Sequence, residues 1–456
     1  MEISVAGAGA GKTTTMADKV VTAYDALASY QNLYYLAFTN NAVSRIQEKL
    51  SEHYDEIPKN IIVCTIHSFL YQELIKPYYF LLYGRQYERV SSIDLPQDAP
   101  LRNKKISELG SKGIIHVSVI PQRAKWVVVK KSSDKKREKK VREKILKNFI
   151  QYCGKIFIDE AQDIDNNVLE IIRAFDATGV AIELVGDPKQ DLHGLGSFRR
   201  LITEHIADTT FLSKCYRCPQ QHLKISNSLV IDEEKQESDK TEGTIQVEFE
   251  SKIRTLQFLK EKDFDLSYIS ERNRRFETRS NEAAPKRFET LNHEIEDLLM
   301  NKSPKSSKTT LASRAYYITY KMLKDKKSGL ELRDIIQKYL GRLSDRVQYA
   351  KVITALQRSD ERATDIPIVD TIEGIKGQEG NNCLFILTTD LAPYLFGDKT
   401  IENKTKNKLY VALTRSLNSL TILILQEVEN KYGEEYICNF FRRFYQNNIV
   451  YNVRSD

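Results

Sequence analysis

The feature that most constrains this chain is how it begins. Met1-Glu2-Ile3-Ser4-Val5 is a short apolar-leaning run, and Ala6-Gly7-Ala8-Gly9-Ala10-Gly11-Lys12-Thr13-Thr14 follows at once. A strand that runs straight into small residues and then Gly-Lys-Thr predicts a phosphate-binding loop that opens a helix. The small residues Gly7, Ala8, Gly9, Ala10 and Gly11 let backbone N–H groups turn inward onto phosphate oxygens. Lys12 would reach the β- and γ-phosphates, and the Thr13 hydroxyl would hold Mg²⁺. The helix opening near Gly11 adds its positive end to the same anion. Ala6 stands where the strict pattern has glycine, a difference of one methyl. The expectation is a nucleoside triphosphate, ATP, bound together with Mg²⁺.

Two further segments follow in the order such a site needs. Lys155-Ile156-Phe157-Ile158-Asp159-Glu160 reads as a buried strand ending in two carboxylates. After a phosphate loop, Asp159 would hold Mg²⁺ through water, and Glu160 would position and deprotonate the attacking water. Glu183-Leu184-Val185-Gly186-Asp187-Pro188-Lys189-Gln190 is a second strand ending in a polar turn, where the Gln190 amide can hydrogen-bond the γ-phosphate.

The chain's 456 residues exceed one ordinary core, so several subdomains are expected. No apolar run approaches the ~20 residues of a membrane span, and no signal-peptide pattern is expected at the start. Six scattered cysteines suggest a reducing, cytoplasmic setting instead of a disulfide framework. Cys215 and Cys218 form a C-x-x-C with no second pair at zinc-ribbon spacing, so no metal centre is expected there. The net charge of +7 is uneven, and residues 123–147 hold twelve Lys/Arg against three acids. That run could follow a phosphate backbone with salt-dependent affinity, or simply be a solvated face.

These segments, with others further on, resemble the motifs of superfamily 1 helicases of the UvrD/Rep type. Leu36-Ala37-Phe38-Thr39-Asn40-Asn41-Ala42 resembles motif Ia, and Cys64-Thr65-Ile66-His67-Ser68-Phe69 the next DNA-contacting motif. Asp159-Glu160-Ala161-Gln162-Asp163 is similar to motif II and Gly186-Asp187-Pro188-Lys189-Gln190 to motif III. Leu212-Ser213-Lys214-Cys215-Tyr216-Arg217 is similar to motif IV. Thr371-Ile372-Glu373-Gly374-Ile375-Lys376-Gly377-Gln378-Glu379 resembles motif V, and Leu409-Tyr410-Val411-Ala412-Leu413-Thr414-Arg415-Ser416 motif VI.

The resemblance implies an α/β protein with two RecA-like P-loop domains, each carrying a short inserted subdomain. The first motor domain would span 1–77 and 149–214, with a basic insertion over 78–148. The second would span 215–272 and 366–456, with an insertion over 273–365. Strand-like runs at 33–38, 61–64, 156–158, 182–185, 383–387 and 420–425 alternate with helical patterns, as that class requires. The polar stretch 301–310 reads as a loop. By resemblance, Glu160, Gln190, Arg217 and the arginine finger Arg415 serve catalysis, and Tyr216, Gly377 and Glu379 join the phosphate loop around the nucleotide. Phe38, Thr39, Asn40, Thr65, His67, Phe69, His193 and Thr371 would meet nucleic acid.

Some positions depart from the family pattern. No glutamine motif precedes the phosphate loop in this sequence, so base selectivity is expected to be loose or to be completed by a partner, with Tyr216 able to stack on any base. Leu195 stands where motif III commonly has an aromatic residue, His193 where tyrosine is frequent, and Asn41 where lysine is common. Glu373 replaces a histidine and, as an acid near a phosphate track, should bond a neighbouring side chain. The resemblance implies an ATP-dependent single-stranded DNA translocase or DNA helicase moving 3′ to 5′ on single-stranded or tailed DNA. Compactness extends it to the helicase-like component of Gabija-type anti-phage systems, which assembles with an OLD-family nuclease. The alternative is a DNA- and nucleotide-sensing ATPase subunit of a nuclease complex with little unwinding of its own. An RNA helicase of the same superfamily is a third reading.

Overall fold

The computed structural model describes residues 1–129, 131–271, 275–279, 283–302, 308–343, 345–357, 368–444 and 449–450. Two parallel sheets organise them. The first runs in the order Ile61–Thr65, Asn32–Ala37, Cys153–Ile158, Ala181–Gly186, Glu2–Ala6, Thr209–Leu212, every neighbouring pair parallel. Its inner strands explain why. Leu33, Tyr34, Tyr35, Leu36 and Ala37 are consecutive and all buried, the near-continuous apolar run of a strand covered on both faces. The second sheet runs Glu277–Arg279, Ile368–Thr371, Leu266–Ile269, Gly380–Leu387, Ser416–Ile424, Thr244–Phe249, Ile449–Val450, again all parallel. Leu384, Phe385, Ile386, Leu420, Ile422 and Ile424 fill its centre. The expected α/β class with RecA-like parallel sheets is thus borne out.

The chain divides into two compact units. One comprises Met1–Arg85, Ile120–Arg279 and Ile366–Asp456 and contains both large sheets. The other joins Gln86–Val119 to Ser280–Asp365. In this second unit the helices Ala283–Lys302, Lys308–Lys327, Leu332–Leu340 and Arg346–Gln357 pack around Leu291, Ile295, Met322, Ile335 and Leu356. The shorter segment adds a parallel strand pair, Arg89–Ser91 with Ile114–His116, and a helix Ala99–Ser111 capped by Asp98. Polar contacts tie the two segments together: Arg89 to Glu296 at 3.1 Å, Lys112 to Asp297 at 3.1 Å, and the Asp94 N–H donating to Thr290 Oγ1 at 3.2 Å. The stretch 301–310 read as a loop is corrected at both ends. Its first two residues close one helix and its last three open the next, because 291–302 and 308–322 continue the apolar spacing of packed helices; 303–307 lie outside the described residues.

Candidate nucleotide site

Residues 7–11 link the strand Glu2–Ala6 to the helix Lys12–Asp25. Gly9 (φ 68°) and Gly11 (φ 74°) are both left-handed, a backbone that residues with a Cβ adopt reluctantly. Gly11 is the helix N-cap and no side chain caps that end, so the first helical N–H groups face the loop's concavity. Lys12 Nζ donates to the carbonyls of Ala6 (3.1 Å) and Gly7 (3.2 Å).

The acids stand at the ends of neighbouring strands. Asp159 is buried and accepts from the Tyr35 hydroxyl at 2.9 Å and the Glu160 N–H at 2.7 Å. Burial, then the adjacent Glu160 charge, raises its pKa to about 6 against the opposing pull of Lys12. Burial also pushes Glu160 upward, but Lys12, Lys376 and the Gln162 amide outweigh it, and Glu160 stays below the usual carboxylate range. Glu160 has φ 53°, the one non-glycine residue of positive φ among those described. Such backbone costs about 1–3 kcal/mol and must be held by its surroundings. Gln162 supplies part of that hold, donating to Glu160 while its carbonyl accepts from the Asp187 N–H at 2.9 Å. Gln190 donates to Asp187 Oδ2 at 2.9 Å, and Lys189 pairs with Asp187 at 3.0 Å.

Two arginines join them, Arg217 after the first sheet's strand Thr209–Leu212 and Arg415 before the second sheet's strand Ser416–Ile424. Arg415 is 1% exposed, one of the largest fully buried side chains. It donates to the carbonyls of Val411 (3.0 Å) and Gln378 (3.4 Å) and to Thr414 Oγ1 (3.3 Å). No carboxylate among the described residues pairs with it, and burial, with Arg217 beside it, lowers its pKa to about 10. Arg217 is paired with Glu379 at 2.6 Å. Tyr216 is exposed, its N–H donating to the Gly9 carbonyl at 2.8 Å and its ring beside Gly11. A cavity of about 520 Å³ gathers Gly9, Ala10, Gly11, Lys12, Thr13, Thr14, Glu160, Gln190, Tyr216, Arg217, Gly377, Glu379 and Arg415. Gly7, Ala8 and Asp159 are not among the residues that line it. The donor set suits a divalent ion with phosphates: a hydroxyl at Thr13, and a buried carboxylate pair that Lys12 only partly neutralises.

The residues expected to meet nucleic acid are more dispersed. Thr39 is exposed and caps the helix Asn40–Ser51, accepting from the Ala42 N–H at 3.2 Å, with Phe38 half-buried before it. Thr65 caps the next helix through the Ser68 N–H at 3.2 Å. His67 is half-buried, and burial lowers its pKa against the pull of Asp165. Phe69 is 3% exposed and packs edge-on to Tyr34 and Phe149, so its ring belongs to the core and offers no face to a base. The physical reason is the helix phase: Phe69 falls on the inward side with Ile66 and Leu70. His193 is exposed, in a turn whose N–H groups at 194, 195 and 196 donate to Asp191. Thr371 ends its strand and accepts from the Gly374 N–H at 3.0 Å. Glu373 does bond a neighbouring side chain, Lys408, at 2.6 Å.

Sequence reasoning missed several participants. Arg45 and Lys240 line the cavity; Arg45 donates to the Gly377 carbonyl at 2.9 Å and Lys240 to that of Arg217 at 3.2 Å. Lys376 pairs with Asp163 at 2.6 Å, tying motif V to the turn after Glu160. Gln236 is buried against the phosphate loop. Arg45, Lys240 and Gln236 sit outside every motif, and nothing in their local sequence signals a site.

Two parallel sheets, a left-handed glycine loop at a helix N-terminus and an acid pair at the end of Cys153–Ile158 are the arrangement that P-loop nucleotide-binding proteins use. A family model described as an AAA domain matches residues 2–194, the stretch that holds the loop, the acids and Gln190. A comparison with curated proteins gave no match. Among solved structures, the chain is similar to an arterivirus nonstructural protein 10 (helicase) in complex with DNA, with 12% identity and a TM-score of 0.36. That alignment covers 92% of this chain and 59% of the viral one, so the chain spans less than two thirds of that helicase's length. No described helix is long and apolar enough to cross a membrane.

Proposed function

We propose that this chain is an ATP-driven motor on single-stranded DNA, a helicase or translocase of the UvrD/Rep type. The observation that carries the reading is the one cavity in which the phosphate loop, Glu160 and Gln190 meet Arg217 and, from the second half of the chain, Arg415. Hydrolysis in such a site is positioning plus charge stabilisation. Residues 9–14 hold the phosphates, with Lys12 turning from its own loop carbonyls to the β- and γ-oxygens. Glu160, kept ionised by Lys12 and Lys376, accepts the proton of the attacking water. Gln190 reports on the γ-phosphate, and Arg217 and Arg415 neutralise charge that develops on the transferring group. Tyr216 offers its exposed ring to the base. Thr13 and Asp159 would hold Mg²⁺, which shields phosphate charge when bound.

Thr39, Asn40, Thr65, His67, His193 and Thr371 would form the DNA track, with two motor domains at 1–77/149–214 and 215–272/366–456. Movement from 3′ to 5′, and assembly with an OLD-family nuclease in anti-phage defence, rest on the resemblance. The burial of Phe69 favours a second reading, a DNA-sensing ATPase subunit that grips DNA too weakly to unwind alone. Steady-state ATPase with and without single-stranded DNA or RNA, beside strand separation on 3′- and 5′-tailed duplexes, separates the readings. DNA-stimulated hydrolysis with unwinding of the 3′-tailed duplex is expected. Hydrolysis without unwinding would favour the sensor, preferential RNA stimulation would replace DNA by RNA, and hydrolysis undiminished by Lys12→Ala would sink the mechanism.

A further inference from the structure

We infer that Gln236 is a positioning residue that couples the phosphate loop to the turn carrying Arg415, through a closed hydrogen-bond ring of Gln236, Tyr410 and the Ala8 backbone. The inference rests on the ATPase reading above. The Ala8 N–H donates to the Tyr410 hydroxyl at 3.3 Å, and that hydroxyl donates to Gln236 Oε1 at 2.9 Å. Gln236 Nε2 returns the sense by donating to the Ala8 carbonyl at 3.0 Å. Each donor points at one acceptor around the ring, which fixes the orientation of the amide. Gln236, Tyr410 and Ala8 are all buried, so water cannot replace a lost bond. The Cys215 thiol also donates to the Ala8 carbonyl, at 3.1 Å.

Both ends of the ring are anchored. Asn227 clips the Gln236 backbone twice, its Oδ1 accepting from the Gln236 N–H at 3.0 Å and its Nδ2 donating to the Gln236 carbonyl at 2.8 Å. The amide fills the space over Gly7, where a Cβ would come within 2.3 Å of Gln236 Cδ. A side chain at position 7 would have to displace this amide. On one side of the ring, Ala8 directly precedes the left-handed stretch at Gly9 and Gly11. On the other, Tyr410 lies on the helix Lys404–Leu413, where its carbonyl accepts from Thr414 Oγ1 at 2.9 Å and the next carbonyl, of Val411, holds Arg415. Movement of the loop as phosphate enters is passed by rigid bonds to the turn that aims Arg415.

The test uses the full chain with Gln236→Leu, which keeps volume over Gly7, Tyr410→Phe, which removes only the hydroxyl, and the double variant. Measured are kcat and KM for ATP at saturating single-stranded DNA, the Kd of a fluorescent non-hydrolysable ATP analogue, and folded content by circular dichroism. Each single variant is expected to lower kcat about tenfold while KM and Kd stay within about threefold. The double variant should be no worse than the poorer single one, since both break the same ring. Gln236→Glu keeps an acceptor for Tyr410 but cannot donate to Ala8, and should retain part of the wild-type kcat. Unchanged kcat, effects that multiply in the double variant, or losses matched by lost folded content would overturn the inference. A wild-type chain that hydrolyses no nucleotide would instead refute the ATPase reading, and the inference with it.

Discussion

Around the nucleotide cavity, Lys12, Arg45, Arg217, Lys240 and Arg415 face the carboxylates of Glu160 and Glu379, whereas residues 123–147 present twelve basic groups against three acids. The smaller collection is the more unusual. Arg415 is fully buried with no carboxylate partner among the described residues, and such a charge is costly unless an anion completes it. In the basic run, much of the charge is already used inside the protein. Arg142 is buried, pairing with Asp134 at 2.7 Å and donating to the Trp126 carbonyl at 3.1 Å. Arg123 and Lys131 lie over the Trp126 ring, 4.1 and 4.2 Å from its centre, and Lys125 pairs with Glu170 at 3.4 Å. Lys135, Lys136, Lys139 and Lys140 remain exposed. Desolvation and pairing, more than the number of charges, separate a binding site from a structural framework.

The largest expected effect breaks the cavity side of this comparison. Arg415→Ala should lower kcat by about 10³-fold with a smaller change in KM, measured as steady-state ATPase, because the proposed mechanism sets its charge against the developing phosphoryl charge. Lys12→Ala should cost roughly 10²-fold or more in hydrolysis and weaken binding of a fluorescent ATP analogue. On the other side, Arg142→Ala should leave the ATPase of the folded protein near wild type but destabilise it by about 3 kcal/mol in urea melts, since Asp134 is left buried and unpaired.

A buried neutral group calibrates the cost of charge. Burial lowers the His222 pKa from 6.5 to about 4, its Nε2 lying 3.1 Å from the Thr244 carbonyl. The unfolded chain takes up this proton first as pH falls, so stability is full above about pH 6.5 and is lost toward pH 4. Between pH 7 and 5 the loss from this residue should be about 2 kcal/mol, absent in His222→Gln, as read from urea melts at both values. The smallest effect is expected from charge reversal at Lys135, Lys136, Lys139 and Lys140. Stability should hold, and an unchanged DNA affinity and salt slope would assign the run wholly to structure.

How much was legible beforehand follows the same division. The phosphate loop, the acid pair and the buried strands could be read because each depends on neighbours in sequence: glycine spacing, an apolar run, a carboxylate at a strand's end. The cavity list from Gly9 to Arg415 was nominated through motifs of the same local kind. Phe69 was misread because a motif states which residue is present, while its helix phase, with Ile66 and Leu70, decides that the ring turns inward. The loop at 301–310 was overextended because polar composition conceals helix ends that packing stabilises.

By itself, then, the sequence determined the phosphate loop, the α/β class and the order of the chemical groups, all encoded over a few residues by backbone freedom and side-chain chemistry. Tertiary structure alone decided which distant groups meet. It brought Gln236 and Tyr410 to Ala8, Arg45 to Gly377 and Lys376 to Asp163, and it buried Arg415 without a carboxylate partner among the described residues. The physical reason is that pairing and desolvation depend on what packs nearby in space, and no local pattern carries that information.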